Sequence, residues 1–331
     1  MRPSTRGDGR RRPMTTVDAA LRAGVATLAA VVLAVFVPIA VGVMPAAFFE
    51  YGCLASRAVG SEFGCYGFLW NTVTTGVFVG IAGPVIGMFL IHREMALIGE
   101  TLAHTAFAGV ALGTLFFGVS GWDVRLLLVA VLVAVVGALG VQALVDRTAS
   151  HGDVPIAIVL TGSFAVGTLL IDLGGGFAFV DITGYLFGNI SITDDRSVAL
   201  MALLTAAVVG SVAVAYKPLL FITFDEEAAR VARLNVSGYN GLLVVLTAVV
   251  VVGAMQILGV ILVAAMLVVP AAAASLVLDG FGSALYGSVL VGVASVLSGI
   301  GLSWSYGLRP GATIVVVAIA IYLLAVVVGE G

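Results

Sequence analysis

The chain has 331 residues, of which 61% are hydrophobic and only 10% charged, with a mean hydropathy of +1.20 and a formal net charge of −3. This composition excludes a soluble globular domain and indicates a polytopic membrane protein. Apolar runs long enough to cross a bilayer alternate with short charged connections, and the alternation of a barrel strand is absent, so the expected fold is an all-α transmembrane bundle of about nine to eleven spans.

Residues 1–22 hold Arg2, Arg6, Arg10, Arg11, Arg12 and Arg22 among Pro, Gly and Ser, without apolar periodicity. Such a segment reads as a disordered tail, and its positive charge places it in the cytoplasm. The apolar run from Ala23 to Met44 is longer than a signal-peptide core and ends without a small-x-small cleavage pattern, so it is expected to stay as a first helix. The polar connection over residues 45–68 then lies outside. It contains Cys53 and Cys65, a candidate disulfide, with two unpaired thiols as the alternative. No His or further Cys accompanies them, which argues against a metal site there.

The second helix is predicted over residues 69–91. Gly83-Pro84 is a kink that a membrane helix can absorb. Gly76, Gly80, Gly83 and Gly87 permit close helix approach, either within the chain or to a symmetric partner. Further helices are expected from Glu100 to about Val119, over residues 124–145, from Val154 to about Asp172, and over residues 198–216. His151, in a loop, is assigned no role. Residues 217–240 form the one substantial charged interruption of the second half. Within it, Phe224 to Leu234 carries Asp225, Glu226 and Glu227 first and Arg230 and Arg233 later, the charge order of a short helix. That segment is either a docked surface helix or a solvated connection. Residues 241–278 are too long for one span and barely enough for two. Gly253, Gly259 and Pro270 interrupt them, and Gln256 is their one strongly polar side chain, so two closely joined helices and a span with a re-entrant segment are both compatible. Helices near residues 284–304 and 312–328 finish the chain, with both termini inside.

One stretch departs from generic membrane sequence. His92, Arg93 and Glu94 close the second helix, and Glu100 and His104 then stand four residues apart, on one face of the third. Ionisable groups inside a span are costly and mark a functional site by default. A carboxylate and an imidazole one turn apart offer oxygen and nitrogen to a divalent metal such as Zn, Mn or Fe. The bland alternative is a pair of buried polar groups bonded to neighbouring helices. Asp172 and Asp153 are the only other candidates inside the spans. No phosphate loop of the G-x-x-x-x-G-K-[ST] type occurs, nor a nucleophile elbow, an HExxH or a cysteine cluster. Such sparse ionisable chemistry favours a conduit over an enzyme, and no tightly bound cofactor is expected.

The stretch REMALIGETLAHTAFAGVALG resembles the RRMALxGDALSHAxLxGVALG segment of the permeases of bacterial and archaeal ABC importers for zinc, manganese or iron. YLFGNI, FDEEAARVARLNV and VGAMQILGVILVAAMLVVPAAAA resemble that family in the same order, so the likeness runs from about Gly67 to the C-terminus. It implies a permease domain over residues 67–331, with residues 23–66 as an extra helix and external loop and 1–22 as the tail. It implies a multi-pass protein of a prokaryotic plasma membrane, working as a homodimer with a cytoplasmic ATPase that binds ATP and with an extracellular metal-binding lipoprotein or other solute-binding protein. Beyond these and the lipid bilayer, no nucleic-acid partner is expected. The resemblance also implies that Phe224, Asp225, Glu226, Glu227 and Arg230 couple to the ATPase, and that Glu100 and His104 face the permeation path and touch the transported divalent ion. The family has Asp where this chain has Glu100, and Ser where it has Ala103. A siderophore- or cobalamin-type ABC permease and an ion-coupled secondary transporter using Glu100 or Asp172 are the competing readings.

Overall fold

A computed structural model describes residues 63–117, 124–147, 153–173, 182–188 and 195–329, with Glu50 and residues 53, 54, 56 and 57. The expected tail, the first helix and His151 lie outside the described residues. After a 3-10 turn (Phe63–Cys65), the helices are α1 (Gly67–His92), α2 (Ile98–Phe117), α3 (Val124–Arg147), α4 (Asp153–Leu173), α5 (Ile182–Phe187), α6 (Asp195–Phe224), α7 (Glu226–Val231), α8 (Val236–Leu258), α9 (Val260–Val277), α10 (Phe281–Tyr306) and α11 (Pro310–Gly329). No strand occurs among the described residues. Six of these helices, α1, α4, α6, α8, α10 and α11, contain stretches long and apolar enough to cross a membrane.

Helix α1 is the hub, buried along most of its length and packed against α6, α8, α9 and α10. Its glycines explain how four helices approach one. A Cβ on Gly76 would meet Val296 and Ile300, and one on Gly80 would meet the backbone at Gly292, all on α10. Gly83 and Gly87 lie against the Met266 and Leu267 carbonyls of α9. The glycine stripe therefore serves packing within the chain. Three buried threonines of α1 keep their hydroxyls satisfied by donating to carbonyls one turn back: Thr72 to Phe68 (3.0 Å), Thr74 to Trp70 (2.7 Å) and Thr75 to Asn71 (2.9 Å). Helix α2 packs against α3 and α4 on one side and α8 and α9 on the other.

Three expectations about boundaries change. Helix α6 does not stop at Tyr216 but runs through Lys217 and Pro218 to Phe224, because Leu219 and Ile222 are buried and keep the turn in register with the core. The predicted helix over Phe224 to Leu234 is helical only over Glu226–Val231, flanked by the end of α6 and by an Asp225 cap. Residues 241–278 resolve into two closely joined helices that begin earlier, at Val236, and reverse at Gly259. The foot of α8 lies beside the end of α1, through Asn240 and Arg93, while Ala271 in the second half of α9 packs against Met88 of the same helix. The bundle thus has a charged end, with Arg93, α7 and the start of α10, and an opposite end where α10 turns into α11.

At that opposite end Cys53 is joined to Cys65 by a disulfide, 12 residues apart in sequence. Trp70 Nε1 donates to the Gly64 carbonyl (3.1 Å), and the Tyr66 ring lies 5.5 Å from that of Trp304 on α10. The segment before α1 is thereby fixed to the top of the hub.

Candidate functional site

The turn from α1 to α2 sets the position of the pair singled out in the sequence. Helix α1 ends in a Schellman motif, in which the Met95 N–H donates to Leu90 O (2.9 Å) and the Glu94 N–H to Ile91 O (3.1 Å). Glu94 takes the left-handed conformation (φ 58°) that glycine usually fills there. The chain turns back at once, and Gly99 rests on Leu267, the same residue that meets Gly87. Gly87 lies five residues inside the end of α1. At the helical rise, Glu100 is thus roughly 7 Å inward from that end and His104 about 6 Å further.

Both Glu100 and His104 are half-buried. Glu100 stands in the first turn of α2, where the helix dipole favours a carboxylate, and it is the charged neighbour of the His104 ring. The His104 ring meets Phe164 of α4 edge-on, centroids 5.0 Å apart, and Phe164 stacks on Phe107 at 5.7 Å. Nδ1 of His104 is buried without a hydrogen-bond partner, whereas the hydroxyls beside it are bonded. Thr101 donates to Leu97 O (3.1 Å), and Thr105 to Thr101 O (2.7 Å). The α2 face carrying these threonines is therefore closed on itself and on α4, while Nδ1 of the imidazole is left without a partner. Buried polar atoms are as a rule paired, so this unpartnered nitrogen is what a functional reading of the site has to explain.

Among the described residues, no third His, Cys, Asp or Glu joins the pair in a metal-sized group. Asp172 is exposed near the end of α4. Two donors from one chain fall short of the closed four-ligand cage of a structural metal site.

The second cluster is at the charged end. Asp225 caps α7 by accepting from Ala228 N (2.8 Å), and Ala229 is buried with Ile222 and Val236. A second Schellman motif ends α7: Leu234 N–H donates to Ala229 O (3.1 Å) and Arg233 N–H to Arg230 O (3.0 Å), with Arg233 left-handed at φ 61°. So short a helix is held by its cap, its end turn and one buried alanine. Its outer face shows Val231, 84% exposed, with Glu227 and Arg230, and beside it stands Phe224, the last residue of α6, 62% exposed. Of the five residues expected to couple to a partner, Phe224, Asp225, Glu227 and Arg230 are exposed and Glu226 turns partly inward. The Phe224 ring closes an aromatic cluster with Phe281 at 5.8 Å and His92 at 5.9 Å, which joins the ends of α6, α10 and α1.

Sequence reasoning gave no role to Arg93 or Asn240. The Arg93 side chain is 7% exposed, its Nη2 donates to Asn240 Oδ1 (2.6 Å) and lies 3.8 Å from Glu226 Oε2. Burial pushes the Arg93 pKa below its usual value, and the Glu226 charge opposes that shift. These partners are more than a hundred residues away, so a single sequence carries no signal of the pairing. At the far end, α5 packs on the α8–α9 reversal, and Arg309 sits over the Phe187 ring at 5.0 Å.

A protein-family model described as ABC 3 transport family matches residues 65–329. The manganese transport system membrane protein MntC of Listeria innocua is 32% identical over 260 residues, which cover 78% of this chain and 90% of that protein. A probable iron transport system membrane protein of Haemophilus influenzae is 27% identical over 262 residues, 78% and 92% of the two chains. Among solved structures, PsaBC from Streptococcus pneumoniae in complex with Fab superposes with a TM-score of 0.71 at 29% identity, over 84% of this chain and 94% of that one.

Proposed function

Because the chain belongs to the ABC 3 transport family, we propose that it is the membrane-spanning permease subunit of an ATP-driven importer for divalent transition-metal ions, manganese first among them. The observation that carries this reading is the Glu100/His104 pair inside the bundle, with the imidazole Nδ1 unpartnered. Manganese accepts carboxylate and imidazole donors together, and the names of the relatives point the same way. A permeation site has to hold its ion weakly enough to release it, which two donors from one chain achieve. With a homodimer as the working unit, a second copy related by a twofold axis would bring an equivalent pair.

In this reading the chain performs no chemistry on ATP. Separate ATPase subunits bind the nucleotide and seat against the exposed face of α7, through Glu227, Arg230 and Val231, and against Phe224 at the end of α6. The charged end then faces the cytoplasm, in keeping with Arg93, Lys217, Arg230 and Arg233 gathered there, and the disulfide end faces the oxidising exterior. An external metal-binding lipoprotein would deliver the ion at the Tyr66/Trp304 end.

The test is uptake of radiolabelled manganese, zinc and iron(II) by vesicles holding the chain with its ATPase and supplied with the external binding protein. ATP-dependent accumulation of a free ion, manganese fastest, is expected. Accumulation without ATP would instead identify an ion-coupled secondary carrier, and transport of chelates alone would identify a siderophore-type permease.

A further inference from the structure

We infer that Arg93 is a positioning residue that carries movement of α7 into α2, and so to the Glu100/His104 site. The inference rests on the importer reading above, and three observations support it. First, the Arg93 guanidinium is buried where α1, α7 and α8 meet, bonded to Asn240 Oδ1 at 2.6 Å, so it cannot swing freely into solvent.

Second, the Glu226 carboxylate stands between two arginines in unequal grip. Its Oε1 accepts from exposed Arg230 at 2.6 Å, while its Oε2 is 3.8 Å from Arg93. Nη1 of Arg93 is buried and has no hydrogen-bond partner. A buried guanidinium N–H without an acceptor is costly, and an inward shift of α7 that brought Glu226 onto it would remove that cost. A partner pressing on the exposed side of α7 pushes in that direction. The clasp thus has two positions, open as seen here and closed when α7 is driven in.

Third, Arg93 stands where its movement is transmitted. It caps the C-terminus of α1, seven residues before Glu100, and the turn between them is tied by the Schellman bonds to Leu90 and Ile91. Helix α7 ends in the same rigid turn at Arg233. Once the clasp closes, two stiff corners joined by one ion pair move as a unit, whereas flexible loops would absorb the displacement.

The experiment uses the full chain with its ATPase in proteoliposomes, supplied with the external binding protein. Spin labels are placed at Phe116→Cys on α2 and Tyr306→Cys on α10, both exposed, with the native cysteines bridged and unreactive. Their separation is measured with and without ATP, while ATP hydrolysis and manganese uptake are followed in the same vesicles. The wild-type chain is expected to shift its label separation on ATP addition. Arg93→Ala and Glu226→Gln are expected to lose that shift and to lower uptake per ATP hydrolysed by about tenfold, with Arg93→Lys restoring part of both. An Arg93→Ala chain that keeps the shift and the uptake ratio overturns the inference, as does a wild-type chain with no ATP-dependent shift. A wild-type chain that shifts with ATP yet takes up no ion would defeat the metal-importer reading and leave the clasp standing.

Discussion

Replacing Gly259 by alanine is expected to destabilise the folded chain by about 3–5 kcal/mol, enough to lower the apparent melting temperature in detergent by roughly 10 °C. Gly259 is both the end of α8 and the start of α9, and its backbone (φ 79°, ψ 160°) lies in a region that residues with a Cβ avoid. A Cβ there would also run into the Leu186 carbonyl and the Gly188 N–H of the α5 segment, which are backbone and cannot rotate away. Gly311 faces the same junction, against the Leu258 and Phe187 carbonyls, so α11 closes over the reversal from the other side. The control is Gly210→Ala. Gly210 lies within α6, a Cβ there would meet nothing within 4 Å, and alanine should be neutral or stabilising by up to ~1 kcal/mol. Thermal unfolding followed by loss of monodisperse protein separates the two. Equal melting temperatures for the two variants would mean that the reversal is not a tight corner.

Glu100→Gln and His104→Ala are each expected to cut ATP-driven manganese uptake by about 100-fold or more, while Glu100→Asp keeps a substantial fraction. A carboxylate shortened by one carbon still ligates, whereas an amide loses the charge that draws a divalent ion. Little should happen to the fold. His104 Nδ1 contributes no hydrogen bond to it, and the ring loses only its edge contact with Phe164. Initial uptake rates, with melting temperatures measured alongside, check this. A structural role would give the reverse pattern, with stability falling and uptake holding.

Much of this was legible in the sequence because membrane burial imposes long apolar runs. The positions of α1, α3, α4, α10 and α11 follow from where charge interrupts them. Glu100 and His104 stand out for the same reason, as ionisable groups in a span. What the sequence hid is of another kind. The extension of α6 through Pro218 depends on Leu219 and Ile222 finding a core, which hydropathy does not report. Helix α5, whose last three residues open YLFGNI, is six residues long and is held by packing against α8, α9 and α11 rather than by any periodicity. Arg93 has the character of an ordinary turn residue until the fold brings Asn240 and Glu226 to it.

The four stretches that carried the family resemblance also converge in pairs. The REMALIGETLAH segment meets FDEEAARVARLNV through Arg93 and Glu226, and YLFGNI meets the Gly259 corner of the last stretch. The first junction joins the proposed ion site to the proposed ATPase contact. The second fixes the reversal between two helices, α8 and α9, that both pack on α2. Sequence order alone shows neither pairing, since each joins segments far apart in the chain.

The claim that the transported ion touches His104 is tested most directly by electron spin-echo spectroscopy of manganese(II) held in the permease–ATPase complex, prepared without its binding protein. The chain has three histidines, and among the described residues only His104 lies within the bundle facing the Glu100 carboxylate. The expected spectrum contains a directly coordinated imidazole nitrogen that vanishes in His104→Gln and persists in His92→Gln. A nitrogen signal unchanged by His104→Gln, or an ion with oxygen ligands alone, would contradict the account.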